Sequence, residues 1–175
     1  KLVSQIEISS AKNHRYYRLA DRSQTTETVT KLLKVITHSD TTNEILRRII
    51  SESASGFVAV PDLYIEERGE GYLLSPYFAD GDFREHINEC RTSEVGIEEF
   101  RQVVNQLNTA LVDLHSNCSL VHCDLKPSNI LLEKVSGEIR RVYLNDFDFC
   151  VDIDHELRRR RGYTLHYAAP ELLNP

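Results

Sequence analysis

Apolar and polar positions alternate from the first residues of the chain. Leu2, Ile6 and Ile8 open the pattern, Tyr16, Tyr17 and Leu19 continue it, and Val29 to Ile36 close it. A period of two predicts half-buried strands, and the polar stretch Asp21 to Glu27 predicts the turn between the second and third. Thr41 and Thr42 offer caps for a helix over Glu44 to Ile50, whose Ile45, Ile49 and Ile50 recur at helical spacing. Phe57 to Ile65 and Gly71 to Phe78 read as two further strands. Together these elements predict a small five-stranded antiparallel sheet carrying one helix.

The period changes at Ile97. Ile97, Phe100, Val104, Leu107, Leu111 and Leu114 step by three and four, which predicts a long amphipathic helix. A loop centred on Asp124 follows, then two short strands, Asn129 to Leu132 and Arg140 to Leu144, joined by a turn at Gly137. The composition shifts near Ala79 to Asp82, so a β-rich lobe over residues 1–78 is expected to meet a helical lobe over residues 79–175. That is an α+β pattern with a cleft at the joint, a common place for ligands.

Composition narrows the function classes. The 175 residues suit one domain, and 41% hydrophobic with 27% charged residues is ordinary for a soluble globular chain. A net charge of -6 argues against a general nucleic-acid partner, with Arg158 to Arg161 as a local exception. No apolar run approaches the roughly 18 residues of a membrane span. Cys90, Cys118, Cys123 and Cys150 fall in no metal-binding spacing, so free thiols in a reducing cytosol or nucleus are expected. The chain starts at Lys1 and stops at Pro175, and reads as an excised piece.

The segments that carry chemistry lie in the second half. Val121-His122-Cys123-Asp124-Leu125-Lys126-Pro127-Ser128-Asn129 resembles the protein-kinase catalytic loop H-R-D-x-x-x-x-N, departing where Cys123 replaces arginine. Asp146-Phe147-Asp148 is similar to D-F-G with its glycine replaced, and Ala169-Pro170-Glu171 matches A-P-E. These motifs, in this order, resemble a eukaryotic-type protein kinase catalytic domain that ends just after A-P-E. The implied fold is bilobal: the small sheet with its helix, then a partial, mainly helical lobe.

The resemblance implies a set of roles. ATP and Mg2+ are the implied cofactors and a protein is the implied substrate. Asp124 accepts the substrate hydroxyl proton, Lys126 steadies the γ-phosphate, and Asn129 and Asp146 hold magnesium. His122 is a structural histidine. Lys126-Pro127-Ser128-Asn129 resembles the serine/threonine version of the loop, in which the residue matching Thr164 bonds the catalytic aspartate and lysine. Tyr163 and Thr164 belong to the activation segment. Because Cys123 removes the arginine that clamps a phosphorylated segment, activity is expected not to depend on phosphorylation there.

For the nucleotide, Thr28 to Lys34 resembles the strand that carries the phosphate-pairing lysine. Lys31 fits the flanking lengths better than Lys34, with Glu44 as its partner. Tyr72 to Phe83 resembles the strand and hinge that hold adenine. In that register Ser75 guards a back pocket, the Pro76 carbonyl and the Phe78 N–H meet the purine, Leu131 lies beneath the ring, and Asp82 reaches the ribose. Glycine is absent from Ser9 to His14, where this family carries its phosphate-covering loop, and Lys12 or His14 could substitute a charge. A non-catalytic, scaffolding relative of the family is therefore the alternative. The apolar face around Leu107, Leu111 and Leu114 is expected to need cover from the remainder of the helical lobe or from a partner chain.

Overall fold

The computed structural model describes residues 2–11, 14–21, 28–37, 40–90, 96–153 and 164–170. The chain folds as two compact units: Lys1–Ser51 with Val60–Tyr77, and Glu52–Ala59 with Phe78–Pro175.

In the first unit, β1 (Leu2–Ala11), β2 (His14–Asp21) and β3 (Thr28–Thr37) are followed by α1 (Asp40–Glu52), β4 (Leu63–Glu67) and β5 (Glu70–Pro76). Neighbouring strands are antiparallel in the order β1-β2-β3-β5-β4. The helix begins at Asp40, so Thr41 and Thr42 lie inside it rather than ahead of it as caps. Ile36 of β3, Leu73 of β5 and Leu46 of α1 form one buried cluster, joined by Tyr64.

The strand expected over Phe57 to Ile65 is shorter. Pro61 has no N–H to give a ladder, and β4 starts only at Leu63. Arg68 and Gly69, both at positive φ (52° and 81°), then close a two-residue hairpin into β5. Ahead of Pro61, Val58 bridges Leu144, and the Ala59 N–H donates to the Leu144 carbonyl at 2.8 Å. Those bonds, with a clamp on Ser53 to Ser55, place Glu52–Ala59 with the second unit.

The second unit contains α2 (Phe83–Glu89), α3 (Ile97–Ser116), β6 (Leu120–Val121), β7 (Ile130–Val135), β8 (Glu138–Leu144) and β9 (Val151–Asp152). β6 pairs with β9 and β7 with β8, each antiparallel. Phe83, Val103, Ile130, Leu132, Ile139 and Val142 make the buried core, with Leu107 packed against it. Two glutamines one helical turn apart on α3 fasten β8 to that core. The Gln102 side-chain amide donates to the carbonyls of Ile139 and Arg140, both at 3.1 Å, while Gln106 accepts from the Val142 N–H at 2.8 Å.

The face of α3 around Leu107, Leu111 and Leu114, expected to need outside cover, is partly covered within the chain. Val103, Ala110 and Leu114 are buried, and Leu107 and Leu111 are half-buried. Ile97, Phe100 and Val104 instead remain 70%, 50% and 45% exposed. At 3.6 residues per turn the stripe spans roughly 100° of the helix circumference, and burial falls along its Leu114 edge, next to Val103 and Ala110.

Asp113 has no part in the sequence reading, yet it is the most heavily bonded carboxylate of α3. It accepts from the Ser53 hydroxyl at 2.6 Å, the Ala54 N–H at 3.1 Å, the Ser55 N–H at 3.0 Å and the Asn117 amide at 2.6 Å. Burial works to raise its pKa, but these donors outweigh it and hold the carboxyl down at about 2. The unfolded group titrates near 3.8, so its contribution is complete above that pH and is lost as pH falls toward 2. About 2 kcal/mol is expected to disappear over that window. Urea melts across pH 4 to 2 test this: Asp113→Asn should flatten the acid limb, and an unchanged limb would contradict the assignment.

Among the described residues, no helix is long and apolar enough to cross a membrane. No disulfide joins the four cysteines, and burial pushes the thiol of Cys150 well up.

Candidate active site

Asp124 sits after β6, where Cys123 takes a left-handed φ of 62°. A non-glycine residue in that region needs surrounding structure to hold it. His122 supplies part of that hold. Its buried ring accepts the Asp124 N–H on Nδ1 at 3.2 Å, so Nε2 carries the proton and donates to the Asn145 carbonyl at 2.9 Å. Burial, the dominant cause, keeps this imidazole below its ordinary pKa, which suits the neutral tautomer. The Phe147 ring meets it edge-on at 5.6 Å. His122 therefore ties the Asp124 loop to the segment that carries Asp146, the structural role expected of it.

Three residues converge on Asp124. Lys126 Nζ donates to Oδ2 at 2.6 Å, and the Thr164 N–H donates to Oδ1 at 3.0 Å. Lys126 Nζ also reaches Thr164 Oγ1 at 2.9 Å. The Asn129 amide nitrogen donates to the Asp124 carbonyl at 2.9 Å and to Oδ2 at 3.2 Å. Burial alone would raise the Asp124 pKa; hydrogen bonds from Lys126 and Thr164 outweigh it and hold the carboxyl below its usual range. The group is therefore ionised at neutral pH.

Spending its nitrogen on Asp124 leaves Asn129 one amide oxygen to offer a ligand. The Asn145 N–H donates to the Asn129 carbonyl at 2.9 Å, which seats Asp146 next along the chain. Asp146, at φ 64°, is the left-handed residue of the Asp-Phe-Asp run; Asp148, the glycine replacement, is not. An amide oxygen and a carboxylate are hard donors, and they fit a magnesium ion that keeps water and phosphate for its remaining positions. Among the described residues no group of three or more His, Cys, Asp or Glu forms a metal cluster of its own.

Other expected residues are placed differently. Lys31 does not pair with Glu44: its ammonium meets Asp62 at 2.8 Å, while Glu44, 72% exposed, meets Arg48. The reason is strand parity. Ile36 packs against α1, so Lys34 shares that face of β3 and Lys31 lies on the other. Lys34 stands opposite Leu73, and its ammonium lies 5.8 Å from the Tyr16 ring centroid. Ser75, opposite Leu32, is on the same face as Lys34, and Pro76 ends β5.

In the second unit Phe78 stacks a tilted ring on Tyr143 at 4.7 Å. Asp82 bridges Leu131 by backbone pairing. Its carboxylate caps α2 by accepting the Glu85 N–H at 2.9 Å, a use that competes with the expected reach to a ribose. Gly81 just before it, at φ 74°, leaves no room for a Cβ beside the Glu85 carboxylate. Tyr163, Lys12, Glu171 and Arg158 to Arg161 lie outside the described residues.

The ionised Asp124 is thus clamped by a lysine, a threonine and an asparagine. The model of the protein kinase domain family matches residues 12–175. The chain belongs to the protein kinase domain family. It is similar to serine/threonine-protein kinase SBK1 of Mus musculus, 35% identical over 70% of this chain and 28% of that protein. Ribosomal protein S6 kinase 2 alpha of Xenopus laevis is 31% identical over 74% of this chain and 17% of its own length. Calcium-dependent protein kinase 4 of Plasmodium berghei is 29% identical over 63% and 21%. The chain thus spans well under a third of these relatives.

Proposed function

We propose that the chain is the catalytic part of a protein kinase that moves the γ-phosphoryl group of ATP to serine or threonine. The observation that carries this reading is the Asp124 cluster, in which one carboxylate is shared by Lys126, Asn129 and Thr164. Phosphoryl transfer asks little covalent chemistry of the protein, so catalysis is positioning and charge neutralisation. Asp124 orients the substrate hydroxyl and takes its proton. Lys126 balances charge on the transferred group. Asn129 and Asp146 offer the oxygens that hold magnesium, which neutralises the phosphates when bound. In the first unit Lys34, rather than Lys31, is assigned to the nucleotide phosphates, with Ser75 and Pro76 beside adenine. In the second unit Phe78 and Leu131 are assigned to the purine and Asp82, beyond its capping bond, to the ribose. The fold this implies is the bilobal one, with a five-stranded sheet in the smaller lobe. The open apolar face of α3 is the surface that further helical lobe or a partner chain would cover.

Thr164 distinguishes the serine/threonine reading. Its hydroxyl accepts from Lys126 while its backbone N–H holds Asp124. Thr164→Val keeps the backbone bond and removes the hydroxyl, so transfer is expected to fall about tenfold, whereas Thr164→Ser should retain it. Equal rates for both variants would remove Thr164 from the site.

One observation favours a non-catalytic, nucleotide-binding or scaffolding module. β1 and β2 stay paired as far as Ala11 opposite His14, next to where a phosphate-covering loop is expected. The same transfer assay separates the readings.

A further inference from the structure

A pocket of about 480 Å3 opens beside the Asp124 cluster, lined by Arg84, Ile87, Asn88, Pro127 and Tyr167. Pro127 directly follows Lys126, and the Tyr167 N–H donates to the Thr164 carbonyl at 2.9 Å. Two of its walls therefore belong to the segments that hold Asp124. The third is one face of α2, since residues 84, 87 and 88 are spaced by three and four.

The lining has one charged side chain and no acid. Arg84 is exposed, and no ion pair to it occurs among the described residues. The acidic residues nearest it in sequence, Asp82 and Glu85, are engaged with each other in the helix cap. Ile87 and Tyr167 leave apolar surface open, 37% and 53% exposed, and the Asn88 amide adds a neutral donor. A short apolar stem ending in a carboxylate matches this set: methylenes against Ile87, Pro127 and Tyr167, oxygens toward the guanidinium fork. A lysine or arginine in the same place would meet like charge. With a net charge of -6, the chain as a whole disfavours an acidic partner, so the local guanidinium becomes the discriminating contact.

We propose that this pocket docks an acidic side chain of the protein substrate, with Arg84 as its specificity-determining residue. The proposal rests on reading the Asp124 cluster as the transfer site, and it gives that site a substrate class: serine or threonine with glutamate or aspartate nearby.

The test uses short fluorescent peptides with a central serine flanked by glutamate, lysine or alanine, followed by anisotropy at low salt. The glutamate peptide should bind about tenfold more tightly than the lysine peptide. Arg84→Ala should weaken it about threefold, and Arg84→Glu should reverse the order. Asn88→Asp, a second exposed change on the same face, should weaken the glutamate peptide too. Equal affinity for the three peptides, or an order untouched by Arg84→Glu, overturns the pocket. Phosphate transfer to the same peptides is read in parallel. Transfer without acidic preference overturns the pocket and leaves the Asp124 reading standing. An Arg84-dependent preference without transfer supports the pocket and sinks that reading.

Discussion

Asp124→Asn is expected to lower phosphate transfer by roughly 10²- to 10⁴-fold, the range of a lost general base, while the protein stays folded. The substitution keeps the shape of the side chain and removes its charge. The acceptor of the substrate proton is lost, and so is the anion that Lys126 meets at 2.6 Å. Folding should survive because Lys126 is partly exposed and can turn to water, and because His122 and Asn129 hold the loop through the Asp124 backbone. Initial rates and thermal melts on the same samples decide it. A variant that melts with the wild type and transfers within threefold of its rate would remove Asp124 from the chemistry.

The second large effect concerns two lysines three residues apart in β3. Lys34→Met is expected to reduce kcat/KM for ATP about 100-fold, by removing the cation assigned to the phosphates. Lys31→Met should stay within threefold, since it breaks only a partly exposed pair with Asp62. Methionine keeps the length and stem of lysine, so packing changes little in either case. The opposite result, loss with Lys31 and tolerance of Lys34, would overturn the parity argument. Comparable loss with both would show that charge on the strand, and not the face, is what matters.

The reversal between those lysines shows where the sequence stops being legible. Strand content and the short loop from Asp124 to Asn129 could be read from spacing, because local periodicity and a compact motif are local properties. Which side of β3 faces α1 could not. The side is fixed by Ile36 and Leu73 meeting Leu46, a contact between residues far apart in the chain. Asp113 was invisible for the same reason: its donors at Ser53 to Ser55 lie 58 to 60 residues away. Pro61 did carry a usable signal, and it marks where the fourth strand begins. The apolar stripe of α3 predicted a helix correctly, but which part of it is covered was not legible, since spacing gives an amphipathic face and not the partner that covers it. Thr164 was placed by motif resemblance, and its bonds to Lys126 and Asp124 are tertiary geometry that resemblance alone could only imply.

Transfer of labelled γ-phosphate from ATP onto serine or threonine, measured with and without magnesium beside Asp146→Asn, addresses the central claim most directly. The account predicts incorporation that requires the metal and collapses in the variant. Incorporation that is absent, or the same in wild type and Asp146→Asn, would contradict it.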